Sequence, residues 1–191
     1  MKLPKANCMW PAFWLMPDRG LKTGPQWVRS DTGKGKNDPG VGGMEMDIVE
    51  YLSAWGHQRY NVAFHWDGYQ KAHKTMGTSA YVQADKDGYI VGGLLWTPGQ
   101  IIAYGNGKEI ARWESPRISD VQAHMILTNV TGGWETDPID DKQLPADFTV
   151  DWIRVWQRSD LASGADGFHE PPPPVVKPTL ADSPAKSPNP P

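Results

Sequence analysis

A chain of 191 residues can bury one core of ordinary size without covalent staples. Its single cysteine, Cys8, excludes an internal disulfide, and no Cys and His cluster has zinc spacing. A net charge of −3 with scattered basic residues excludes a phosphate-tracking surface, and no apolar run reaches the ~18–20 residues of a membrane span.

In chain order, the predicted elements are short, rich in β-branched and aromatic residues, and separated by Gly, Pro, Asn or Asp. They are WPAFWLM (10–16), MEMDIVEYL (44–52), RYNVAFHW (59–66), SAYVQA (79–84), YIVGGLLW (89–96), IIAYGN (101–106), KEIARWE (108–114), VQAHMILTNV (121–130) and FTVDWIRVWQ (148–157). NGK at 106–108 reads as a hairpin turn. No long segment has helical apolar spacing. The expected fold class is all-β: two antiparallel sheets packed as a sandwich or jelly roll. The linker 17–43 is too long for a hairpin turn, and loops of that length are often functional. From 159 onward the character changes, with nine of the 18 prolines in the last 21 residues. Such a tail buries too little apolar surface to offset its ordering entropy and is expected to be an extended linker. The expected organisation is a catalytic-type domain at 1–158 and a proline-rich tail at 159–191.

The stretch GGMEMDIVEY poses the chemical question, because Glu45, Asp47 and Glu50 stand in an otherwise buried-looking strand. Residues two apart share a strand face, so Glu45 and Asp47 point one way and Met44, Met46 and Ile48 the other. Glu50 is out of phase. One extra residue at Ile48–Val49, a β-bulge, would bring it back onto the acidic face. Acids are depleted in strands and like charges repel, so the row costs stability, and no cation within the motif offsets it. Two plainer readings are a solvated strand face and a Ca²⁺ site, but the apolar flanks oppose the first, and one strand rarely fills a calcium shell. Retaining glycoside hydrolysis gives the row a use, with a carboxylate nucleophile and a carboxylic acid ~5–5.5 Å apart across the scissile bond. Glu45 and Glu50 lie four strand steps apart once the bulge counts as one, on the order of 13 Å between Cα atoms, which two leaning glutamates can close. Asp47 between them would share a proton with the nucleophile and hold one partner's pKa up.

Ten tryptophans are a surplus for this length. Trp10 and Trp14 share a face with the small Ala12 between them; beside an acid row, such a pair reads as a platform for sugar rings. In the next strand Asn61, Ala63 and His65 share a face, which puts His65 within reach of the acids or the leaving oxygen. Asn129 and Trp134, around the glycines of NVTGGW, are further candidate sugar contacts. Trp66, Trp96, Trp113, Trp152 and Trp156 read as packing.

WPAFWLMP, GGMEMDIVEY, NVAFHWDGY, GLLWTPGQIIAYGNGKEI and FTVDWIRVWQ, in that order over residues 2–158, resemble glycoside hydrolase family 16. The two-residue spacer Ile48–Val49 is similar to the bulged motif of its laminarinases, agarases, porphyranases and carrageenases. The resemblance implies a jelly roll with a concave substrate cleft, Glu45 as nucleophile, Asp47 as auxiliary acid and Glu50 as general acid and base. His65 is the matching histidine, and Trp10 and Trp14 fall at the subsites nearest cleavage. It implies an endo-acting retaining hydrolase of a polysaccharide, a β-1,3-glucan of the laminarin type. The alternatives are a marine galactan hydrolase and a non-catalytic carbohydrate-binding jelly roll. No cofactor is expected to be required; a structural Ca²⁺ away from the cleft would draw on Asp151. The expected partner is the polysaccharide alone, with no nucleic acid and no membrane, and the protein is expected to be a monomer. A polymeric substrate implies an extracellular or periplasmic location, although MKLPKANCMW lacks the apolar stretch of a secretory signal. The family carries several strands before its WPAFW strand, whereas nine residues precede Trp10. The resemblance therefore implies a domain without its N-terminal strands, with exposed edges and reduced stability.

Overall fold

The computed structural model describes residues 1–17, 43–56, 58–66, 71, 73–97, 99–115, 118 and 122–158. By its contacts the chain divides into two units, Met1–Ile153 and Arg154–Pro191. The expected tail from 159 onward, and all of the expected linker 17–43 except its two end residues, lie outside the described residues. Among the described residues the first unit holds eight strands and two short 3-10 turns, as the all-β reading requires.

The strands are β1 (Met9–Pro17), β2 (Glu45–Glu50), β3 (Arg59–Trp66), β4 (Lys74–Tyr81), β5 (Gly92–Thr97), β6 (Gln100–Gly105), β7 (Lys108–Glu114) and β8 (Ala123–Thr131). They form a five-stranded sheet, β4-β3-β2-β1-β8, and a three-stranded sheet, β5-β6-β7, with every pairing antiparallel. Asn106 and Gly107 join β6 to β7 with both φ angles positive, 49° and 77°. This is the backbone of a two-residue hairpin whose twist matches its strands, and it explains why an Asn-Gly pair stands there.

The core lies between the sheets. Phe13, Met46, Ile48, Val49, Val62 and Phe64 of the larger sheet join Ile101 and Ala103 of the smaller in one buried cluster. The Phe64 ring meets Trp113 edge-on at 4.9 Å, so Trp113 packs as its sequence context suggests. Each fully buried side chain of this size contributes ~1.5–3 kcal/mol, and several of them outweigh what a row of acids on the opposite face costs. The core also registers the site, since Val49 is wholly buried beneath Gly92 of β5. A Cβ on Gly92 would stand 2.4 Å from Val49 Cγ2 and 3.6 Å from Ile48 Cγ2. Gly92→Ala is therefore expected to destabilise the domain by ~1–3 kcal/mol through overpacking. Chemical denaturation measures this, and an unchanged midpoint would show that the two sheets separate freely.

Beyond shifts of one to three residues at the ends of other strands, two predicted elements differ from the structure. The strand expected at 79–84 begins earlier, as β4, because Lys74–Gly77 pairs with β3 across Trp66, His65, Phe64 and Ala63. The ladder supplies what the weak strand propensity of KTMG does not. FTVDWIRVWQ is not a strand: among the described residues its one backbone pairing is the bridge between Thr149 and Lys2. Trp152 and Trp156, expected to pack, are 47% and 78% exposed.

Candidate active site

The strand register decides which side chains meet. On β3, His65, Ala63 and Asn61 stand opposite Glu45, Asp47 and Glu50, and between the last two pairs Ile48 and Val49 together oppose Val62. Two residues against one is a β-bulge, and it carries Glu50 onto the face of the other two acids. On the far side β1 pairs Ala12 with Glu50 and Trp14 with Asp47. Trp10, Ala12 and Trp14 thus flank the row, and the small side chain of Ala12 keeps the surface low beside Glu50. Ala63, and Gly77 beyond it, keep the floor beside Asp47 equally low.

Glu50 is held from two sides. Trp10 Nε1 donates to its Oε1 at 3.0 Å and Asn61 Nδ2 donates to its Oε2 at 3.1 Å. Asp47 Oδ2 meets His65 Nε2 at 3.2 Å, and the other ring nitrogen of His65 lies 2.9 Å from His73 Nε2. Glu45, Asp47 and His65 each offer an atom within 4.8 Å of the other two. No hydrogen-bond donor reaches Glu45 Oε2 among the described residues, although it is buried. Two carboxyl groups and an imidazole so close share protons before anything else.

Electrostatics follow from burial and crowding. Burial, then the Asp47 charge, pushes the Glu45 carboxyl up to about 8. Asp47 is raised by burial against the opposing effect of His65. Glu50 is raised by burial and then by Asp47, while its bonds from Asn61 and Trp10 pull the other way. For His65, burial disfavours the cation, but contact with Asp47 and the charges of Asp47, Glu45 and Glu50 outweigh it and raise its pKa. Crowding and burial thus favour the protonated forms of the carboxyl groups, and the carboxylates favour the cationic form of the imidazole. Glu50, with donors on both oxygens, holds its proton less firmly than bare burial would dictate.

Of the other sequence candidates, Trp134 joins the site and Asn129 does not. Trp134 is half exposed and meets Trp10 edge-on at 6.0 Å. Asn129 pairs with Pro11, whereas the site face of β1 pairs through Val130 with Trp10 and Thr128 with Ala12. Strand alternation sends it to the opposite face, which corrects its assignment as a sugar contact. Four contributors escaped the sequence reading. Asn61 was visible on the right face, but nothing marked its bond to Glu50. His73, Trp55 and Glu135 reach the neighbourhood through tertiary contacts that no local pattern signals.

No family model matches the chain. Among curated proteins it is 25% identical to a beta-glucanase of Rhodothermus marinus over 170 residues, which cover 82% of this chain and 54% of that protein. It is 26% identical over 154 residues to the endo-1,3-1,4-beta-glycanase EglC of Rhizobium meliloti, covering 81% of this chain and 28% of the relative. A solved non-specific endo-beta-1,3(4)-glucanase of family 16 superposes with a TM-score of 0.58 at 20% identity, over 76% of this chain and 53% of the other. The fold is that of family 16 glucanases. A second family 16 structure, an endo-glucanase from Bacteroides ovatus, gives a TM-score of 0.53 at 24% identity over 75% of this chain and 58% of that one. The chain thus spans about half the length of the family 16 glucanases it superposes on. Within that half lie the acid row, the bulge and the flanking tryptophans of β1.

Proposed function

We propose that the protein is an endo-acting, retaining β-glucan hydrolase whose substrate is a laminarin-type β-1,3-glucan. The observation that carries this is the bulge, which sets Glu50 on the same face as Glu45 and Asp47 and beside two tryptophans. Relatives named beta-glucanase and endo-1,3-1,4-beta-glycanase support the substrate class. In the reaction, Glu45 attacks the anomeric carbon while Glu50 gives its proton to the leaving oxygen; Glu50 then takes a proton from the water that releases the glycosyl enzyme. Attack needs an ionised Glu45. The proton of the Glu45–Asp47 pair must then rest on Asp47, the more deeply buried of the two, with His65 beside it. The polymer implies that the protein works outside the cytoplasm, as an extracellular or periplasmic monomer. Among the described residues no helix is long and apolar enough to cross a membrane.

A substrate panel tests the reading. Laminarin, mixed-linkage glucan, agarose, porphyran and carrageenan are each incubated with the protein, and reducing ends and the first-formed anomer are followed by proton NMR. Laminarin is expected to release reducing ends fastest, with the β-anomer first. Release from a galactan alone would shift the substrate class, and the α-anomer first would remove Glu45 as nucleophile.

A further inference from the structure

Glu135 is a buried carboxylate outside the acid row, only 4% exposed, in the turn that follows β8. Its Oε2 accepts from Ser53 Oγ at 2.8 Å and from the Ala54 amide at 3.2 Å, both in the 3-10 turn Ser53–Trp55 that follows β2. Its Oε1 accepts from the amides of Thr136 and Asp137 at 2.8 and 2.9 Å. A single side chain thus ties the segment leaving β2, three residues after Glu50, to the segment leaving β8. Burial opposes its charge, but the four donors win and hold its pKa below the ordinary value.

The residues next to the two ends of this clamp are aromatic. Trp55 and Trp134 meet edge to face with centroids 5.1 Å apart, and Trp134 also meets Trp10 edge to face at 6.0 Å. Gly133 has φ of 72°, and a Cβ there would stand 2.8 Å from Trp10 Cζ3, so the turn passes flush against the indole that donates to Glu50. Trp134 remains 51% exposed and is therefore supported from two sides while it offers area to solvent. An indole this exposed needs external fixing, because ordering a mobile side chain at the moment of binding subtracts from affinity.

We propose that Glu135 is a positioning residue: its carboxylate clamps the turn after β8 to the turn after β2 and so presets Trp134, with Trp10 behind it, as one wall of the sugar groove. This rests on the glucanase reading for the ligand, but the preset wall itself does not. The clamp acts on substrate affinity, since it touches no reacting atom.

Glu135→Gln keeps the length and the Oε1 contacts but sets an amide NH2 against the Ala54 N–H. The first readout is near-UV circular dichroism, which reports how firmly the tryptophans, Trp10, Trp55 and Trp134 among them, are fixed, is read as the difference between Glu135→Gln and parent, and needs no substrate. Glu135→Gln is expected to weaken that band and Glu135→Ala to weaken it further. The second readout is steady-state kinetics on laminarin, where Glu135→Gln is expected to raise KM ~10-fold with kcat changed less than ~3-fold. In a double-mutant cycle with Trp134→Ala the two KM penalties are expected to overlap, because one acts through the other. An unchanged dichroism band, an unchanged KM with only a lower Tm, or penalties that add in full would each overturn the clamp. A parent that neither turns over nor binds any glucan would instead overturn the proposed function, leaving the dichroism to decide the clamp.

Discussion

Replacing Glu45 by Gln is expected to cut laminarin turnover by ~10⁴-fold or more while yielding a protein that melts higher than its parent above pH ~5. The first half follows from the chemistry, since an amide forms no glycosyl ester. The second half follows from proton linkage. In the folded chain the Glu45 pKa lies at about 8, well above its ordinary 4.5. Between those values the native state binds a proton that the unfolded chain has released, so parent stability falls as pH rises through this window and levels off above it. Glutamine has no proton to lose. The variant is therefore expected to gain about 1–3 kcal/mol over the parent by pH 8 and almost nothing at pH 4. Calorimetry at both pH values, beside a reducing-end assay, checks the pair of effects. A variant that hydrolyses laminarin at the parent rate, or a stability gap that narrows as pH rises, would remove Glu45 from the role.

That the acid row destabilises the fold is also what made it legible. A strand that places Glu45, Asp47 and Glu50 among Met46, Ile48 and Val49 contradicts its own propensity, and such contradictions concentrate where function overrides stability. The phase slip at Glu50 announced the bulge because strand alternation has a strict period of two, and the core confirms it by burying both Ile48 and Val49. β3 and β7 were bounded to the residue since turn chemistry brackets them at both ends. Where the reading failed, the deciding partner lay elsewhere in the chain. The alternation of FTVDWIRVWQ promises a strand, but alternation only prepares a face; a ladder neighbour must supply the hydrogen bonds, and among the described residues the pairing stops at Thr149. Asn129 sat beside a suggestive glycine pair, yet its face is set by the register of β8 on β1, which the sequence does not state.

The same distinction separates the acid row from the side chains that hold it. Acids two apart on a strand are a local pattern and can be read directly. Trp10 reaches Glu50 across 40 residues of sequence, and Glu135 reaches Ser53 across 82. Support of this kind belongs to the topology, where β1 and β8 lie side by side although more than a hundred residues part them.

Glu50→Gln is expected to behave differently from Glu45→Gln, and the difference assigns the two roles. Hydrolysis of laminarin should fall by ~10³–10⁴-fold, because the departing sugar oxygen loses its proton donor. A dinitrophenyl glycoside of a β-1,3-glucan disaccharide has a leaving group that departs without protonation, so Glu45 is still expected to form the glycosyl enzyme and release a burst of dinitrophenol. Azide, which needs no general base, should then discharge that intermediate and give the β-glycosyl azide. The site tolerates the amide, because Asn61 can turn its side-chain oxygen toward the new NH2 while Trp10 Nε1 keeps its acceptor. The pH profile supplies a second check. Burial, then Asp47, raises the Glu50 pKa, so the parent's alkaline limb in kcat/KM should lie above the ordinary carboxylate range. With the dinitrophenyl substrate that limb should vanish in Glu50→Gln, since the protonated form is no longer required. Equal losses on both substrates, with no azide product, would mean that Glu50 holds the fold or the sugar rather than the proton. The bulge at Ile48–Val49 would then be a packing feature with no catalytic purpose.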